Sequence, residues 1–426
     1  MYTKITVGFL VLLIFSPLLP AQWILVPMDE SQTNHLKAYG LTYWTLETPR
    51  EYSVKWLLNY RGGAFLLVDT PDIRKQSYEM GVNFESLSNI DYATIQTEIE
   101  NSNMDEILLE KAPKVAVYRP HDNSPYRDPW DDAVKIAMDY ADIPYDTVWD
   151  EEIIEGVLFA KEYDWLHLHH EDFTGQYGKF YISFKNATWY KEQKRMYEQS
   201  AKNAGFPKVS QHKLAVAKKI KEFTAGGGFL FAMCSATDSY DIALAAEGVD
   251  ICAHMFDGDA PDPKAQEKLN FNKTFAFKDF TLVKNPNKYE FSSIDATQSR
   301  RIKREIDFFT LFDFSAKWDP VPTMLCQNHM QVIAGFMGQT TAFKKQYIKS
   351  NVLIMGETNA TNEARYIHGK FGNGTWTFYG GHDPEDYQHK VGDPPTDLNL
   401  HPNSPGYRLI LNNILFPAAK KRKQKT

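Results

Sequence analysis

Residues 226–239 are Gly-Gly-Gly-Phe-Leu-Phe-Ala-Met-Cys-Ser-Ala-Thr-Asp-Ser. The apolar run from Phe229 to Met233 predicts a buried strand, and the residues after Cys234 predict the first turn of a helix. A sharp strand-to-helix turn lifts its central side chain to the rim of a parallel sheet, beside a helix N-terminus that stabilises negative charge. Cys234 is therefore the first candidate for chemistry. The alternative is a small apolar residue packed under the helix, since free cysteine is among the most buried residue types.

Apolar runs and amphipathic segments alternate on both sides of this turn. Strands are predicted at 23–26, 54–58, 64–68, 114–118, 145–149, 163–168, 352–355, 364–367 and 375–379, and helices at 32–46, 129–140, 211–223, 241–247 and 406–416. Such alternation predicts an α/β fold with helices on both faces of a parallel sheet. Ligands of these sheets gather beyond the carboxyl ends of the strands, where Cys234, His169 and His170 fall.

The segment 257–342 departs from this alternation and is rich in Lys, Asn, Asp and Phe. We interpret it as an insertion that forms a lid or a small subdomain. The predicted divisions are a signal peptide (1–21), an N-terminal α/β region (22–110), a core (111–256 and 343–419), the insertion (257–342) and a basic tail (420–426). Whether the N-terminal region joins the sheet of the core is left open.

The composition is that of an ordinary globular protein, with 426 residues, 43% hydrophobic and 24% charged. The formal net charge of −7 gives no broad attraction to nucleic acid, and the basic tail is interpreted as a solvated end. We therefore expect a small-molecule or glycan substrate and no nucleic-acid partner. No cofactor is expected from the sequence.

The first residues predict export. Lys4 precedes an almost wholly apolar run at 5–19, and Ala21 is a small residue at which signal peptidase would cut before Gln22. Prolines interrupt any helix long enough to span a bilayer, so we expect cleavage, a periplasmic or secreted protein and no stable membrane insertion.

The cysteines are Cys234, Cys252 and Cys326. Their odd number leaves at least one free thiol in an exported protein.

A second motif, Gly380-Gly381-His382-Asp383-Pro384-Glu385, follows the last predicted strand. A histidine with carboxylates close by has the parts of a general base and its orienting partner. Paired with Cys234 as nucleophile, His382 would be the base, and Asp383 or Glu385 would orient its ring. The alternative is that His382 caps a turn and Asp383 initiates a loop.

A third motif, His167-Leu168-His169-His170-Glu171-Asp172, follows another predicted strand. His167 and His169 would project from one face of a strand, a spacing that can ligate zinc, although His-x-His alone is a weak signal. We interpret the motif chiefly as the lining of a substrate pocket, with structural and zinc-binding roles as alternatives, and assign no metal. The predicted substrate-binding residues are His169, His170, Glu171, Asp172, Ser235 and Gly381.

The order of these motifs resembles class I glutamine amidotransferase-like proteins. Within that superfamily, residues 226–236 and Gly381-His382-Asp383 are similar to the ThuA-like branch, in which a triple-glycine strand leads to a Ser-Ala turn and the chain ends with a Gly-His-Asp turn. The resemblance covers 114–416, apart from the insertion. It implies a flavodoxin-like fold in which the cysteine lies near a distal histidine and an acid.

The motifs depart from both patterns. Amidotransferases usually show Gly-x-Cys-x-Gly and His-Pro-Glu, whereas this chain has Ala-Met-Cys-Ser-Ala at 232–236 and His-Asp-Pro-Glu at 382–385. ThuA-like proteins often have histidine at the position of Cys234 and are associated with sugar metabolism. The opening at 27–40 also resembles exported proteins grouped with asparagine synthetase B. The N-terminal catalytic cysteine and the Ser-Gly-Gly-x-Asp-Ser loop of such a synthetase are absent from the sequence.

Three functions are therefore expected as alternatives. The first is an exported hydrolase that cleaves an amide or related bond with Cys234 and His382. The second is a ThuA-like carbohydrate-processing or sugar-binding protein in which Cys234 is not a nucleophile. The third is a non-catalytic domain of the cell envelope, with a buried and unreactive Cys234.

Overall fold

The computed structural model describes residues 22–120, 132–297, 303–319, 330–390 and 393–419. The predicted signal peptide, the basic tail and Cys326 lie outside the described residues. The strands are β1 (Trp23–Val26), β2 (Val54–Leu58), β3 (Ala64–Val68), β4 (Glu85–Leu87), β5 (Asp105–Leu109), β6 (Val115–Tyr118), β7 (Asp146–Val148), β8 (Trp165–Leu168), β9 (Phe229–Met233), β10 (Phe308–Leu311), β11 (Val332–Ala334), β12 (Phe343–Lys344), β13 (Leu353–Thr358), β14 (Glu363–Phe371) and β15 (Gly374–Tyr379). The helices are α1 (His35–Leu46), α2 (Pro71–Glu79), α3 (Asn89–Asn101), α4 (Ala133–Tyr140), α5 (Asp150–Glu155), α6 (Val157–Ala160), α7 (Tyr181–Phe184), α8 (Thr188–Asn203), α9 (Val209–Gly226), α10 (Ser235–Ala245), α11 (His254–Asp257), α12 (Ala265–Lys268) and α13 (Pro405–Leu415).

Five strands form the parallel part of the larger sheet, in the order β7-β6-β8-β9-β15. Numbered by chain position, this is the order 2-1-3-4-5 of flavodoxin-like doubly wound proteins. The α/β fold predicted from the sequence is confirmed. Because the strands are parallel, their carboxyl ends lie along one edge, which we call the carboxyl edge. His169 follows β8 there, Cys234 follows β9 and Gly380 follows β15.

The side chains of the parallel strands alternate between two apolar cores, as the pleat of a strand requires. In β6, Val115 and Val117 belong to one core, whereas Ala116 and Tyr118 belong to the other. Residues of α1, α4 and α13 complete the first core, and residues of α9 and α10 complete the second. Both faces of the sheet are therefore covered, which explains why its strands are apolar runs in the sequence.

Antiparallel strands extend this sheet beyond β15. β14 pairs with β15 as a hairpin, and β13, β10 and β11 follow outward. β10 and β11 come from the segment 257–342, which also supplies Phe275 and Phe277 to the second core. The predicted insertion is thus built into the sheet and its packing.

The N-terminal region forms a separate sheet in the order β4-β1-β3-β2-β5, in which all strand pairs are antiparallel. One face, which includes Val26, Trp56 and Phe65, packs in the same core as α1, α4 and α13. Residues Tyr92 and Ile95 of α3 pack on the other face. The region therefore has its own sheet but shares a core with the rest of the chain.

Arg408 connects the N-terminal region to α13. Its side chain is fully buried, and it donates hydrogen bonds to Tyr39 Oη at 3.0 Å, to the Met28 carbonyl at 3.1 Å and to the Gly62 carbonyl. A buried guanidinium is tolerated only when its donors are satisfied. These contacts fix the position of α13, the last helix, against the N-terminal sheet.

Candidate functional site

Cys234 lies at the predicted turn between β9 and α10, with φ +53° and ψ −139°. A non-glycine residue at positive φ is strained by roughly 1–3 kcal/mol and persists only where its surroundings hold it there. Its Sγ accepts a hydrogen bond from the backbone N–H of Gln339 at 3.4 Å, and the thiol is buried. Burial raises the pKa of the Cys234 thiol to about 11, although backbone N–H groups of Gln339, Ser235 and Thr340 oppose this rise. The thiol is therefore protonated at neutral pH in this conformation.

The segment 337–341, which we call the covering loop, lies between Cys234 and the turn that carries His382. The Gly381 N–H donates to the Thr340 carbonyl at 2.8 Å, and the His382 N–H donates to the Met337 carbonyl at 2.9 Å. The Gln339 side chain anchors the loop by donating to the carbonyls of Gly178 at 2.7 Å and Tyr289 at 3.1 Å. The loop belongs to the predicted insertion, and it covers the thiol.

Three histidines converge on the carboxyl edge, and we call them the histidine cluster: His169, His170 and His382. His169 Nε2 lies 2.7 Å from His382 Nδ1, and one ligand nitrogen from each of the three rings lies within 4.8 Å of the other two. Burial lowers the pKa of His169 to about 4 and holds the pKa values of His170 and His382 well below their usual range. The rings are therefore neutral, the form of imidazole that binds metal ions.

Asp132 stands behind this cluster at the N-terminus of α4. Its Oδ1 lies 3.1 Å from His167 Nε2 and 3.6 Å from His169 Nδ1, so His167 and His169 share a face as the sequence predicted. Burial raises the pKa of the Asp132 carboxyl. The nearby rings of His167 and His169 and the hydrogen bond from the Lys135 N–H have a larger effect in the opposite direction, so the pKa lies well below its usual range. The sequence analysis missed Asp132. Its one signal was its place in the connection that follows β6 at the carboxyl edge, the edge at which β8 also ends.

The carboxylates next to His382 have other partners. Asp383 accepts from the Glu385 N–H at 2.9 Å and from Tyr407 Oη at 2.8 Å, so it caps the turn and ties it to α13. Glu385 pairs with His401 at 3.2 Å. Within the described residues, neither carboxylate hydrogen-bonds to His382, and no hydrogen bond joins His382 to Cys234. The predicted catalytic grouping remains a prediction, and the present contacts resemble the alternative in which Asp383 builds the turn.

The other predicted substrate-binding residues lie at the same edge, where several of them hold backbone. Glu171 Oε2 accepts from the His169 N–H at 2.8 Å. Asp172 accepts from the N–H groups of Thr174, Gln176 and Gly178 at 2.7–3.0 Å and stabilises the loop after β8.

Ser235 and Gly381 lie on either side of the covering loop. Ser235 begins α10, and its Oγ has no hydrogen-bond partner among the described residues. Gly381 has φ +98°, and a Cβ there would lie 2.5 Å from the Phe336 ring, so only glycine fits this turn.

Two acidic side chains lie near Cys234 or the covering loop, Asp295 and Asp238, and the sequence analysis did not single them out. Burial raises the pKa of Asp238 to about 7 and holds that of Asp295 well above its usual range. Asp238 Oδ1 accepts from Thr340 Oγ1 at 2.7 Å, and Asp295 Oδ1 accepts from Thr297. Like-charge proximity to Asp295 also opposes formation of a thiolate at Cys234.

Aromatic side chains suit stacking on sugar rings, and the sequence offers Tyr126, Trp130, Tyr177, Tyr181 and Trp189 as candidates, with core packing as the alternative. Those that the structure describes are packed in one aromatic cluster. Tyr177 and Tyr190 are buried in one cluster, and Tyr181 and Trp189 pack against it. Tyr126 and Trp130 lie outside the described residues. The described aromatics therefore serve as core.

Comparisons with known proteins identify no family. No family model and no curated protein matches the chain. Among solved structures, it is similar to Cytoplasmic Protein STM3548 from Salmonella typhimurium (10% identity, TM-score 0.34, 72% of this chain and 100% of that one) and to Cytoplasmic Protein STM1381 from Salmonella typhimurium LT2 (10%, TM-score 0.31, 72% and 99%). Gan42B, a GH42 beta-galactosidase, matches over 64% of this chain and 28% of its own length, with 10% identity and a TM-score of 0.27. Similarities this low carry no argument about function.

The chain is thus an α/β protein of the doubly wound kind, with its candidate site at the carboxyl edge. Along the described segments, no helix combines the length and the apolar character needed to cross a membrane.

Proposed function

We propose that the protein is an exported hydrolase, resembling class I glutamine amidotransferase-like proteins, in which Cys234 attacks an amide or related carbonyl bond. The observation that supports this most directly is the conformation of Cys234, strained at φ +53° between a parallel strand and a helix N-terminus. Such a turn is the position from which α/β hydrolases present their nucleophile. The structural alternative, a cysteine used as core, does not require backbone strain.

The surrounding backbone supports the same chemistry. The backbone N–H groups of Gln339, Ser235 and Thr340 all favour negative charge on the Cys234 sulfur and so oppose the rise in its pKa. Backbone donors fixed in a buried site are the groups that stabilise a developing oxyanion. When substrate replaces the contacts of the covering loop, the Ser235 N–H stays in place because it belongs to α10.

The described conformation is closed. The thiol is covered by Gln339, its pKa is raised, and His382 bonds to His169. Reaction therefore requires the covering loop to move away from Cys234, which admits the substrate and allows a histidine of the edge to approach the sulfur. Loop motions of this type complete many active sites.

The test is turnover of a panel of amide and ester substrates by the wild type and by two cysteine variants. Cys234→Ser is expected to abolish turnover while the circular dichroism spectrum and unfolding midpoint stay those of the wild type. Cys252→Ala is the matched control, because Cys252 is also buried but lies elsewhere and donates to the Thr174 carbonyl at 3.2 Å. Full activity in Cys234→Ser would exclude this function.

A further inference from the structure

We propose that His169, His170 and His382 form a binding site for a single divalent transition-metal ion of the zinc class, with Asp132 as the positioning residue of His169. This proposal does not rest on Cys234 or on the hydrolase function. It rests on where four side chains from three separate parts of the chain meet.

The first argument is the ligand set. One nitrogen from each ring lies within 4.8 Å of the others, and the closest pair is separated by 2.7 Å. Zinc binds imidazole nitrogens at about 2.0–2.1 Å, which places two ligand nitrogens roughly 3.4 Å apart in a tetrahedral site. Small ring rotations would bring the three nitrogens to that separation.

The second argument is an unused nitrogen atom. Within the described residues, His382 Nε2 is buried and has no hydrogen-bond partner. The side chain of His382 is more than nine-tenths buried. Buried polar atoms are almost always satisfied, so a buried nitrogen without a partner indicates that something is bound there in the working protein.

The third argument is the surroundings of the cluster. Asp132 Oδ1, 3.6 Å from His169 Nδ1, is placed to accept the proton of that nitrogen and so direct the Nε2 lone pair toward the other rings. Carboxylates orient metal-binding histidines in this way. His167 cannot serve as a fourth ligand in this arrangement, because its two nitrogens face Asp132 at 3.1 Å and the Phe231 carbonyl at 3.3 Å.

A second group of possible metal ligands is already paired with the charged side chain of a lysine. Asp250, Cys252 and Asp257 lie close together, but Lys208 Nζ is 2.5 Å from Asp250 and 3.0 Å from Asp257. The lysine supplies the positive charge that a metal would supply.

The arrangement defines the class of site. Three histidines leave a fourth tetrahedral position open, which is the pattern of catalytic zinc sites, whereas structural sites use four protein ligands. The open position would hold a water molecule or a substrate oxygen at the carboxyl edge. With the ion bound, the lone pair of His382 is used for coordination, so His382 would not be the base for Cys234.

Metal binding can be measured without any substrate. The purified protein is stripped with a chelator and titrated with Zn²⁺ by calorimetry, and Co²⁺ is added separately to record its visible d–d spectrum. We expect one equivalent of Zn²⁺ per chain and the intense Co²⁺ absorption of a tetrahedral site. Binding that is no tighter than to the unfolded chain would overturn the proposal.

Variants identify the ligands. His382→Ala is expected to weaken Zn²⁺ binding by more than roughly 100-fold, and Asp132→Asn by roughly 10–100-fold, the usual effect of removing an orienting partner. The matched control is His254→Ala, an exposed histidine elsewhere, which should bind as the wild type does. Unchanged affinity in His382→Ala would overturn the assignment.

A second measurement covers variants that fail to fold. X-ray absorption of the Zn²⁺-loaded wild type should show imidazole nitrogen scattering from three histidines and no sulfur ligand. A sulfur ligand would place the ion at a cysteine and overturn the site. Loss of metal binding would leave the Cys234 hypothesis intact, and an inert Cys234 would leave the metal site intact, so the two proposals fail separately.

Discussion

His35, the first residue of α1, shows how burial controls ionisation in this protein. Its ring is buried, and Nε2 lies 3.0 Å from the carbonyl oxygens of both Met28 and Asp29. Burial and the nearby Arg408 guanidinium lower the pKa of His35 to about 4, even though the two carbonyls favour the charged ring. The folded protein therefore holds a neutral histidine at a place where the unfolded chain would bind a proton.

This depressed pKa predicts a loss of stability in weak acid. Above pH 6.5, the ordinary pKa of histidine, the His35 ring is neutral in both the folded and the unfolded chain, and the free energy of unfolding is at its full value. As the pH falls from 6.5 toward about 4, the unfolded chain binds a proton that the folded protein does not, and the free energy of unfolding decreases. The loss is up to about 3 kcal/mol, because each pKa unit corresponds to about 1.4 kcal/mol. Urea unfolding at pH 7, 6 and 5 measures it.

The control for this prediction is a pair of variants. His35→Gln keeps an N–H donor for the carbonyls but cannot titrate, so its stability should fall less between pH 7 and pH 5 than that of the wild type. His254→Gln changes an exposed histidine and should keep the wild-type slope. Equal slopes for the wild type and His35→Gln would contradict the assignment.

At the scale of elements, the covering loop lies over Cys234 and contacts its sulfur through the Gln339 N–H. Two hydrogen bonds from the Gln339 side chain hold it to segments around residues 178 and 289. Each such bond contributes about 0.5–1.5 kcal/mol, so removing both should raise the open population by roughly tenfold.

Gln339→Ala is therefore expected to increase the rate of Cys234 alkylation by roughly tenfold at pH 8, since the thiol reacts only when uncovered. Labelling by iodoacetamide followed by mass spectrometry of the Cys234 peptide measures the rate. Gln331→Ala, at an exposed position before β11, is the matched control and should label at the wild-type rate. A rate unaffected by Gln339→Ala would show that the loop is not the barrier.

Elements with strong local patterns could be predicted from the sequence. The strands at 229–233 and 375–379 and the Cys234 turn are found where apolar runs and polarity changes placed them. The partners of those residues could not be predicted. Whether His382 faces Cys234 or His169 depends on the path of the covering loop between them, and the covering loop lacks any periodic pattern.

The candidate site could likewise be predicted only in part: its residues could be, and their contacts could not. Topology places His169 and His382 at one edge, and the sequence motifs pointed to both. Asp132 was missed because the helix was predicted to begin at 129, which put this residue in the first turn, where acidic side chains are common. In the structure it is the N-cap of α4 and accepts from the Val134 N–H at 2.9 Å. Its second role depends on packing against β8, which no local pattern encodes.

At the scale of the whole molecule, the N-terminal sheet and the doubly wound sheet are held together by one shared core and by Arg408. The guanidinium reaches Tyr39 on α1 and carbonyls at Met28 and Gly62 from a position on the last helix. Loss of this side chain removes one donor from each of these three acceptors, which is costlier than the loss of apolar area alone.

Arg408→Leu is therefore expected to lower the free energy of unfolding by about 3 kcal/mol. Chemical denaturation followed by tryptophan fluorescence measures this change. Arg195→Leu is the control, because Arg195 is 65% exposed and pairs only with a neighbour on its own helix in the described structure, so its effect should stay within about 0.5 kcal/mol. A small effect in both variants would show that the two sheets are joined by apolar packing alone.

The spacing of the histidines along the chain has a consequence for biogenesis. His169 and His382 are 213 residues apart in sequence, yet their rings touch. Contacts of such long range form late, because the entropy of closing the intervening loop must first be overcome. A nascent chain therefore carries no assembled histidine cluster, and the cluster is completed only when β15 takes its place beside β9.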